Sequence, residues 1–254
     1  RIGPYSLGSE LGAGGMGKVF LAEVTGHAPG LDDGVKVALK VIHPHLLETP
    51  GFFKRFLREA EIGKVVEQDN VVRCFDCDAV LFEGVQQNFL VMEYVEGQTL
   101  RGLLDELGTV PEELCRHVGR EIAKGLQAIH EAGVVHRDLK PENVLITPEH
   151  VVKIMDLGVA RLQDEAIRLS QTGVFVGSLE YAAPEQFRSG GDDADGRADL
   201  HALGVMLYEL VSGMHPFPRS PIGKDGRPPV PPLDPALASP YFTAVIGTLM
   251  ATDV

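Results

Sequence analysis

Cysteine is scarce in this chain, which has only three. Cys74 and Cys77 have the CxxC spacing of a zinc or redox motif, but no second pair follows them. We therefore interpret them as ordinary strand residues. Disulfide-rich frameworks are typical of oxidising compartments, so a low and odd count favours a reducing one.

Basic residues are few relative to acidic ones. The chain has 23 Lys and Arg against 36 Asp and Glu, a net charge of −13. Nucleic-acid-binding domains carry clustered basic residues, so this balance argues against a nucleic-acid partner. The acidic runs at 32–33 and 192–195 lie among glycines, and we interpret them as solvated loops.

A long apolar run is also missing. The most apolar segment, 200–211, contains His201 and Glu209 and is shorter than the roughly 20 residues of a membrane-spanning helix. Residues 1–4 lack the apolar core of a signal peptide. We expect no membrane segment in this chain and a cytoplasmic location, alone or as the cytoplasmic domain of a larger protein.

The first third of the chain predicts β-structure. Runs rich in β-branched and aromatic residues predict strands at 6–11, 18–23, 35–41, 71–77 and 88–92. Between the third and fourth strands, apolar residues spaced three to four apart predict a helix around Phe53 and Phe56.

The rest of the chain predicts helices. One apolar stripe consists of Leu114, Val118, Ile122, Leu126 and Ile129. A nearly all-apolar helix over 199–212 predicts a central position in the core. The predicted fold class is α+β, with a small antiparallel β-rich lobe at 1–92, a hinge at 93–97 and a larger, mainly helical lobe at 98–254. The junction between two lobes is a usual place for a ligand cleft.

The most informative stretch is HRDLKPEN, residues 136–143. It places the carboxylate of Asp138, the ammonium group of Lys140 and the carboxamide of Asn143 in one loop. A second carboxylate, Asp156, follows 13 residues after Asn143. Phosphoryl transfer uses these groups: a base beside the attacking hydroxyl, a cation beside the transferred phosphate, and oxygen ligands for Mg²⁺.

Further motifs occur around this loop: GxGxxGxV at 12–19, VALK at 37–40 and APE at 183–185. With them the chain resembles the eukaryotic-like protein kinases, most closely their bacterial Ser/Thr branch, from about Tyr5 to its end. The resemblance implies a two-lobed kinase fold and transfer of the γ-phosphate of ATP to Ser/Thr hydroxyls of protein substrates.

The resemblance implies roles for the loop residues. Asp138 would accept the hydrogen bond of the substrate hydroxyl, and Lys140 would balance charge on the γ-phosphate. Asn143 and Asp156 would hold Mg²⁺, with Mn²⁺ as an alternative. Asp199 resembles the aspartate that braces this loop through backbone amides.

The glycine-rich run is weak evidence by itself, because dinucleotide-binding turns share its spacing. A predicted strand on each side makes it a hairpin, which favours the kinase interpretation. Lys40, on the next strand, would bind the α- and β-phosphates and be oriented by a helix glutamate. Glu59 matches that position best; Glu61 is the alternative, rotated by about 200° on the helix, so both cannot face Lys40.

The resemblance also implies an adenine site. Met92 takes the gatekeeper position, and the backbones of Glu93 and Val95 would hydrogen-bond the base. The apolar residues that would enclose the ring are Val19, Ala38 and Leu145. The full set implied in ATP binding is Leu11, Gly12, Gly14, Gly17, Val19, Ala38, Lys40, Met92, Glu93, Val95 and Leu145.

Arg137, directly before Asp138, marks kinases controlled by phosphorylation of the activation loop. A phosphothreonine supplies about −1.5 to −2 charge for such an arginine. By position before the APE motif, Thr172 is the first candidate and Ser170 the second. This predicts autophosphorylation, with self-association of two chains for that step.

Two features depart from the family. The arginine that normally pairs with Glu185 is missing, so we expect either that the helical lobe is truncated at its C-terminal end or that this end packs differently. The segment 216–240 holds nine prolines where the family usually has a substrate-docking helix, and this predicts an extended connection.

Two other functions stay open. A pseudokinase that binds nucleotide as a scaffold shares this fold, but usually lacks at least one of the catalytic residues found here. A small-molecule kinase shares the cleft, but rarely carries the KPEN and APE motifs together.

Overall fold

In a computed structural model, the chain divides into two compact units, Arg1–Glu96 (unit 1) and Gly97–Val254 (unit 2). The residues that the structure describes are 1–48, 51–82, 84–156, 180–187, 195–217 and 228–251. No helix in these ranges is long and apolar enough to cross a membrane.

Unit 1 is built around one antiparallel sheet. Its strands are β1 (Tyr5–Gly14), β2 (Gly17–Val24), β3 (Lys36–Ile42), β4 (Cys74–Phe82) and β5 (Val85–Glu93), in the spatial order β1-β2-β3-β5-β4. Successive side chains of a strand point to opposite faces. Val37 and Leu39 therefore enter the apolar core with Phe89, while Ala38 and Lys40 lie on the other face.

The described residues of unit 1 also form the helices α1 (Pro44–Leu47) and α2 (Phe52–Val65). The second contains the predicted helix and packs closely on β4, because a Cβ at Gly63 would lie 2.7 Å from the Cβ of Cys74. Cys74 and Cys77 are ordinary strand residues of β4. Burial raises the pKa of the Cys77 thiol to about 11, so this thiol is protonated and unreactive at neutral pH.

Unit 2 is mainly helical. Its elements are β6 (Gln98–Thr99), α3 (Leu100–Leu107), α4 (Glu112–Glu131), β7 (Val144–Ile146), β8 (Val152–Ile154), α5 (Arg197–Ser212) and α6 (Pro240–Leu249). The three strands form a small antiparallel sheet in the order β6-β7-β8. The α+β fold class is confirmed.

Helices α4 and α5 form the centre of unit 2. Nearly every side chain of α5 from Ala198 to Val211 is buried, which confirms its predicted central position. The stripe on α4 differs in one respect: Leu114 is partly exposed and Cys115 is buried in its place. The Cys115 thiol donates to the carbonyl oxygen of Val110 at 3.3 Å, so this small side chain satisfies its polar atom inside the core.

The described part of the proline-rich segment, 228–239, contains no helix or strand. Regular structure resumes at α6, where Ser239 caps the first turn by accepting a hydrogen bond from the backbone N–H of Phe242 at 3.3 Å. Proline has no N–H to donate and a fixed φ, which explains the non-helical conformation. The preceding residues, 218–227, lie outside the described residues.

Candidate active site

The HRDLKPEN loop joins α4 to β7 and contains a 3-10 turn at Pro141–Asn143. Arg137 in this loop has a φ of +66°. This left-handed conformation is uncommon for residues other than glycine. Such strain concentrates at functional sites and persists only where surrounding contacts hold it.

Asp199, on the first turn of α5, holds the strained part of the loop. Its Oδ1 accepts from the backbone N–H of Arg137 and its Oδ2 from that of His136, each at 2.8 Å. The His130 ring on α4 also places Nε2 2.8 Å from Oδ2. Asp199 is 1% exposed, so these donors replace water around a buried carboxylate.

The carboxylate of Asp138 is oriented by two neighbours in the loop. Asn143 donates from Nδ2 to the backbone oxygen of Asp138 at 2.8 Å and to its Oδ2 at 2.9 Å. The Nζ of Lys140 lies 3.3 Å from Oδ1 and 3.2 Å from Oδ2. The structure thus brings three of the sequence-predicted residues into direct contact.

Two hydrogen bonds tie this loop to the residue before Asp156. The backbone N–H of Met155 donates to the carbonyl oxygen of Asn143 at 2.9 Å, and Nε2 of His136 donates to the carbonyl oxygen of Met155 at 3.2 Å. The other ring nitrogen of His136 accepts from the N–H of Asp138 at 3.3 Å, which places the hydrogen on Nε2. Asp156 itself has a φ of +55°. His136 therefore aligns the loop with the Asp156 segment.

The donor atoms of Asn143 and Asp156 suit a divalent cation. The Asn143 amide nitrogen is used on Asp138, so the amide oxygen Oδ1 is the atom available as a ligand. Mg²⁺ is usually bound through one or two carboxylates together with substrate phosphates, rather than by an all-protein cage. Within the described ranges, no three His, Cys, Asp or Glu side chains form such a cage. The residues present fit an ion shared with nucleotide.

In unit 1, Lys40 lies on β3, opposite Val19 of β2 and Leu90 of β5. It is only 6% exposed, and a buried ammonium group requires compensating partners. Glu59 lies within α2, but its side chain is outside the described residues. Its pairing with Lys40 stays a prediction.

The glycine-rich run forms the β1–β2 hairpin, in which Gly12 pairs with Val19 and Gly14 with Gly17. Gly17 is required by packing, because a Cβ there would lie 2.0 Å from the carbonyl oxygen of Val41. A Cβ at Gly12 or Gly14 would meet nothing within 4 Å. A side chain at Gly12 or Gly14 would therefore clash with no other part of unit 1 that the structure describes.

The other residues of the predicted adenine site lie in both units. Unit 1 carries Leu11 on β1, Val19 on β2, Ala38 on β3, Met92 and Glu93 at the end of β5, and Val95 beyond it. Leu145 lies on β7 of unit 2, opposite Lys153. Ala38 and Met92 are register partners on neighbouring strands. The adenine site stays a prediction.

A charged cluster that the sequence motifs did not indicate lies beside the loop. Arg101 on α3 donates to Glu142 Oε1 at 2.9 Å, to Glu209 Oε1 at 3.1 Å and to the Tyr181 hydroxyl at 2.7 Å. The Tyr181 hydroxyl donates in turn to Glu209. Burial, followed by the charge of Glu209, raises the pKa of Tyr181 above its usual range, so the phenol stays protonated. The cluster ties α3, α5 and the 3-10 turn together.

A family model described as "Protein kinase domain" matches residues 5–226. This chain belongs to the protein kinase domain family. Kinase domains of this family use ATP and a divalent metal ion, which agrees with the donor set at Asn143 and Asp156.

Several curated relatives of this kinase domain are bacterial proteins. It is 37% identical to the probable serine/threonine-protein kinase PknB of Corynebacterium glutamicum, over 84% of this chain and 32% of that protein. It is 35% identical to the serine/threonine-protein kinase PknB of Mycobacterium leprae, over 84% of this chain and 33% of that protein. It is also 37% identical to the serine/threonine-protein kinase Pkn1 of Myxococcus xanthus, over 91% of this chain and 33% of that protein. The chain spans about a third of the length of these relatives. The resemblance to the bacterial Ser/Thr branch is confirmed.

Several predicted features of the kinase domain are untested. Thr172 and Ser170 lie outside the described residues. Glu185 lies in the 3-10 turn Pro184–Phe187. The hydrogen bond and the charge of Asp195 raise the pKa of Arg197, and the charge of Glu185 adds to this effect. The motif analysis missed Gln186, in the same turn, which contacts the HRDLKPEN loop. The signal available was its position directly after the APE motif.

Proposed function

We propose that this domain is an ATP-dependent protein serine/threonine kinase. The observation that supports this most strongly is the carboxylate of Asp138, held by Asn143 and Lys140 in a loop tied to the Asp156 segment. The names of the bacterial relatives support the Ser/Thr class. Proteins with exposed Ser or Thr are the proposed substrates.

In this proposal Asp138 orients the substrate hydroxyl and accepts its proton. The hydroxyl oxygen forms a bond to the γ-phosphorus while the bond from that phosphorus to the β–γ bridging oxygen breaks, and ADP leaves. Positioned proton transfer of this kind contributes about 10²–10⁴ in rate. Lys140, beside Asp138, stabilises negative charge on the transferred phosphoryl group.

Asn143 Oδ1 and the Asp156 carboxylate would hold the metal ion, Mg²⁺ or alternatively Mn²⁺. Such an ion, when bound, neutralises charge on the phosphates. In unit 1, Lys40, oriented by Glu59, would bind the α- and β-phosphates, and the β1–β2 hairpin would cover them with backbone N–H groups. The adenine would bind to the backbones of Glu93 and Val95 beside Met92.

The decisive experiment is a transfer assay. The purified domain is incubated with Mg²⁺, labelled ATP and a generic basic protein, beside an Asp138→Asn variant. We expect transfer to Ser and Thr by the wild type and a loss of at least about 100-fold in the variant, because the positioned base is removed. Nucleotide binding without transfer by the wild type would instead favour the scaffold alternative.

Regulation by autophosphorylation belongs to the same proposal. Arg137 is half-buried and precedes Asp138 in the chain, and a phosphate on Thr172 or Ser170 would supply an anionic partner for its guanidinium. Two chains would associate for this step. Phosphopeptide mapping of active protein checks it; finding both residues unmodified would contradict it. We propose a cytoplasmic location, where ATP is available as donor.

A further inference from the structure

The backbone of Arg137 is held by hydrogen bonds on both of its peptide groups. Its N–H donates to Oδ1 of Asp199 at 2.8 Å, and its carbonyl oxygen accepts from Nε2 of Gln186 at 3.3 Å. The second peptide group is the one that joins Arg137 to Asp138, so its orientation sets where the Asp138 side chain begins. A residue at a φ of +66° needs such contacts to stay in place.

The orientation of the Gln186 amide is fixed by its own turn. Its Oε1 accepts from the backbone N–H of Ala183 at 2.8 Å, and its backbone N–H donates to the carbonyl oxygen of Ala183 at 3.0 Å. A rotated amide would face its NH₂ to an N–H and its oxygen to a carbonyl, so only one orientation is compatible with both neighbours. Ala183 is fully buried and packs on Ala198 of α5. The Gln186 side chain therefore extends from a turn that is packed against α5.

We propose that Gln186 is a positioning residue for phosphoryl transfer: it holds the Arg137–Asp138 peptide so that the Asp138 carboxylate meets the substrate hydroxyl. This rests on the proposed kinase function. Gln186 acts through the backbone of Arg137 and touches no reacting atom. It adds a second support to the loop, independent of the one from Asp199.

Two substitutions isolate this role. Gln186→Met keeps the length of the side chain and removes both hydrogen bonds. Gln186→Glu keeps an acceptor for Ala183 but turns an oxygen toward the Arg137 carbonyl, and it regains a donor only when the carboxyl is protonated. The matched controls are Gln127→Met and Gln127→Glu on α4, where the exposed amide donates to Glu131 at 2.8 Å.

The experiment measures kcat, KM for ATP and the urea unfolding midpoint between pH 5.5 and 8. We expect kcat to fall about three- to tenfold in Gln186→Met, because the hydrogen bond to the Arg137 carbonyl oxygen is the one that positions Asp138. KM for ATP should stay within about twofold of the wild-type value. The kcat of Gln186→Glu should come closer to that of the wild type as the pH falls. The ratio of the Gln186→Met kcat to the wild-type kcat should stay constant with pH. The Gln127 variants should match the wild type.

The outcomes separate the two proposals. Wild-type kcat in both Gln186 variants would overturn the positioning role and leave the kinase function standing. A change confined to the unfolding midpoint would also overturn it. If Gln186→Met does not fold, the pH dependence of Gln186→Glu decides, because that variant keeps the turn closed. A wild type without transfer would contradict the kinase function itself.

Discussion

The buried carboxylate of Asp199 shows how much of this site depends on single polar atoms. It accepts from the N–H groups of His136 and Arg137 and from the His130 ring. Without it, two backbone donors would be left in the core without partners, each at a cost of about 1–3 kcal/mol. The backbone N–H groups of His136 and Arg137 in the HRDLKPEN loop are therefore satisfied by one side chain from an element that is distant in sequence.

Substitution of Asp199 by Ala should lower the free energy of unfolding by about 3 kcal/mol or more, because the buried donors lose their acceptor. Urea unfolding followed by circular dichroism measures this. The control is Asp195→Ala, an exposed aspartate that also accepts from a backbone N–H; it should change stability far less. A loss below about 1 kcal/mol for Asp199→Ala would show that another group satisfies these donors.

The hydroxyl of Tyr181 is a second test at this scale. Tyr181→Phe removes its hydrogen bonds with Arg101 and Glu209, and the free energy of unfolding should fall by about 1–2 kcal/mol. Tyr208→Phe, whose hydroxyl takes no part in this cluster, should cost less. Equal losses for the two variants in chemical denaturation would contradict the importance of the cluster.

At the scale of elements, glycines show where helices approach their neighbours. In α2, a Cβ at Gly63 would lie 2.7 Å from the Cβ of Cys74, whereas in α6 a Cβ at Gly247 would meet nothing within 4 Å. Gly63→Ala should therefore destabilise by about 1–3 kcal/mol through overpacking. Gly247→Ala should stabilise by about 0.5–1 kcal/mol through helix propensity. Thermal unfolding checks both, and a shift of the same sign for both would contradict this packing account.

The contact between α4 and α6 should depend on pH. The backbone N–H and the hydroxyl of Ser239 both donate to Glu112 at 2.7 Å, and these bonds hold the pKa of that carboxyl below its usual value. A lowered folded-state pKa gives stability that is present above the unfolded-state value, about 4.5, and is lost as the pH falls through the folded value.

We therefore expect Ser239→Ala to lower the urea midpoint at pH 7, in part through loss of an N-cap worth about 1 kcal/mol. The difference in urea midpoint between Ser239→Ala and the wild type should become smaller as the pH falls from 5 toward 3, because the wild type then also loses the contact with the ionised carboxylate. In a Glu112→Gln background the effect of Ser239→Ala should not change over this range. A deficit that is constant with pH in both backgrounds would contradict the contact.

The sequence predicted the elements whose signal is local. The buried helix α5, the HRDLKPEN loop and most strands of unit 1 follow from periodicity and motif. The fourth strand was predicted at 71–77 but lies at Cys74–Phe82. The register of α4 was partly wrong, since Leu114 and Cys115 are both apolar and periodicity alone cannot choose between them. The Arg101 cluster could not be predicted, because Arg101 and Glu209 are 108 residues apart and meet only in the folded chain.

At the scale of the whole molecule, the chain belongs to the protein kinase domain family and has 254 residues with a net charge of −13. The family match covers both units, from residue 5 to 226. In the proposed reaction, Lys40 and the β1–β2 hairpin belong to unit 1, whereas the HRDLKPEN loop and Asp156 belong to unit 2. Because the proposed reaction needs groups from both units, substitution of a proposed site residue in either unit should abolish transfer. Both units should remain folded in such a variant.

The most direct test of the central claim is turnover as a function of Mg²⁺ concentration in an Asp156→Asn variant, with the unfolding midpoint measured in parallel. We predict that Mg²⁺-dependent transfer is lost while the unfolding midpoint stays close to that of the wild type, because the change removes the negative charge of the proposed metal ligand and leaves the side-chain volume almost unchanged. Near-normal turnover of Asp156→Asn at the same Mg²⁺ concentrations would contradict the account.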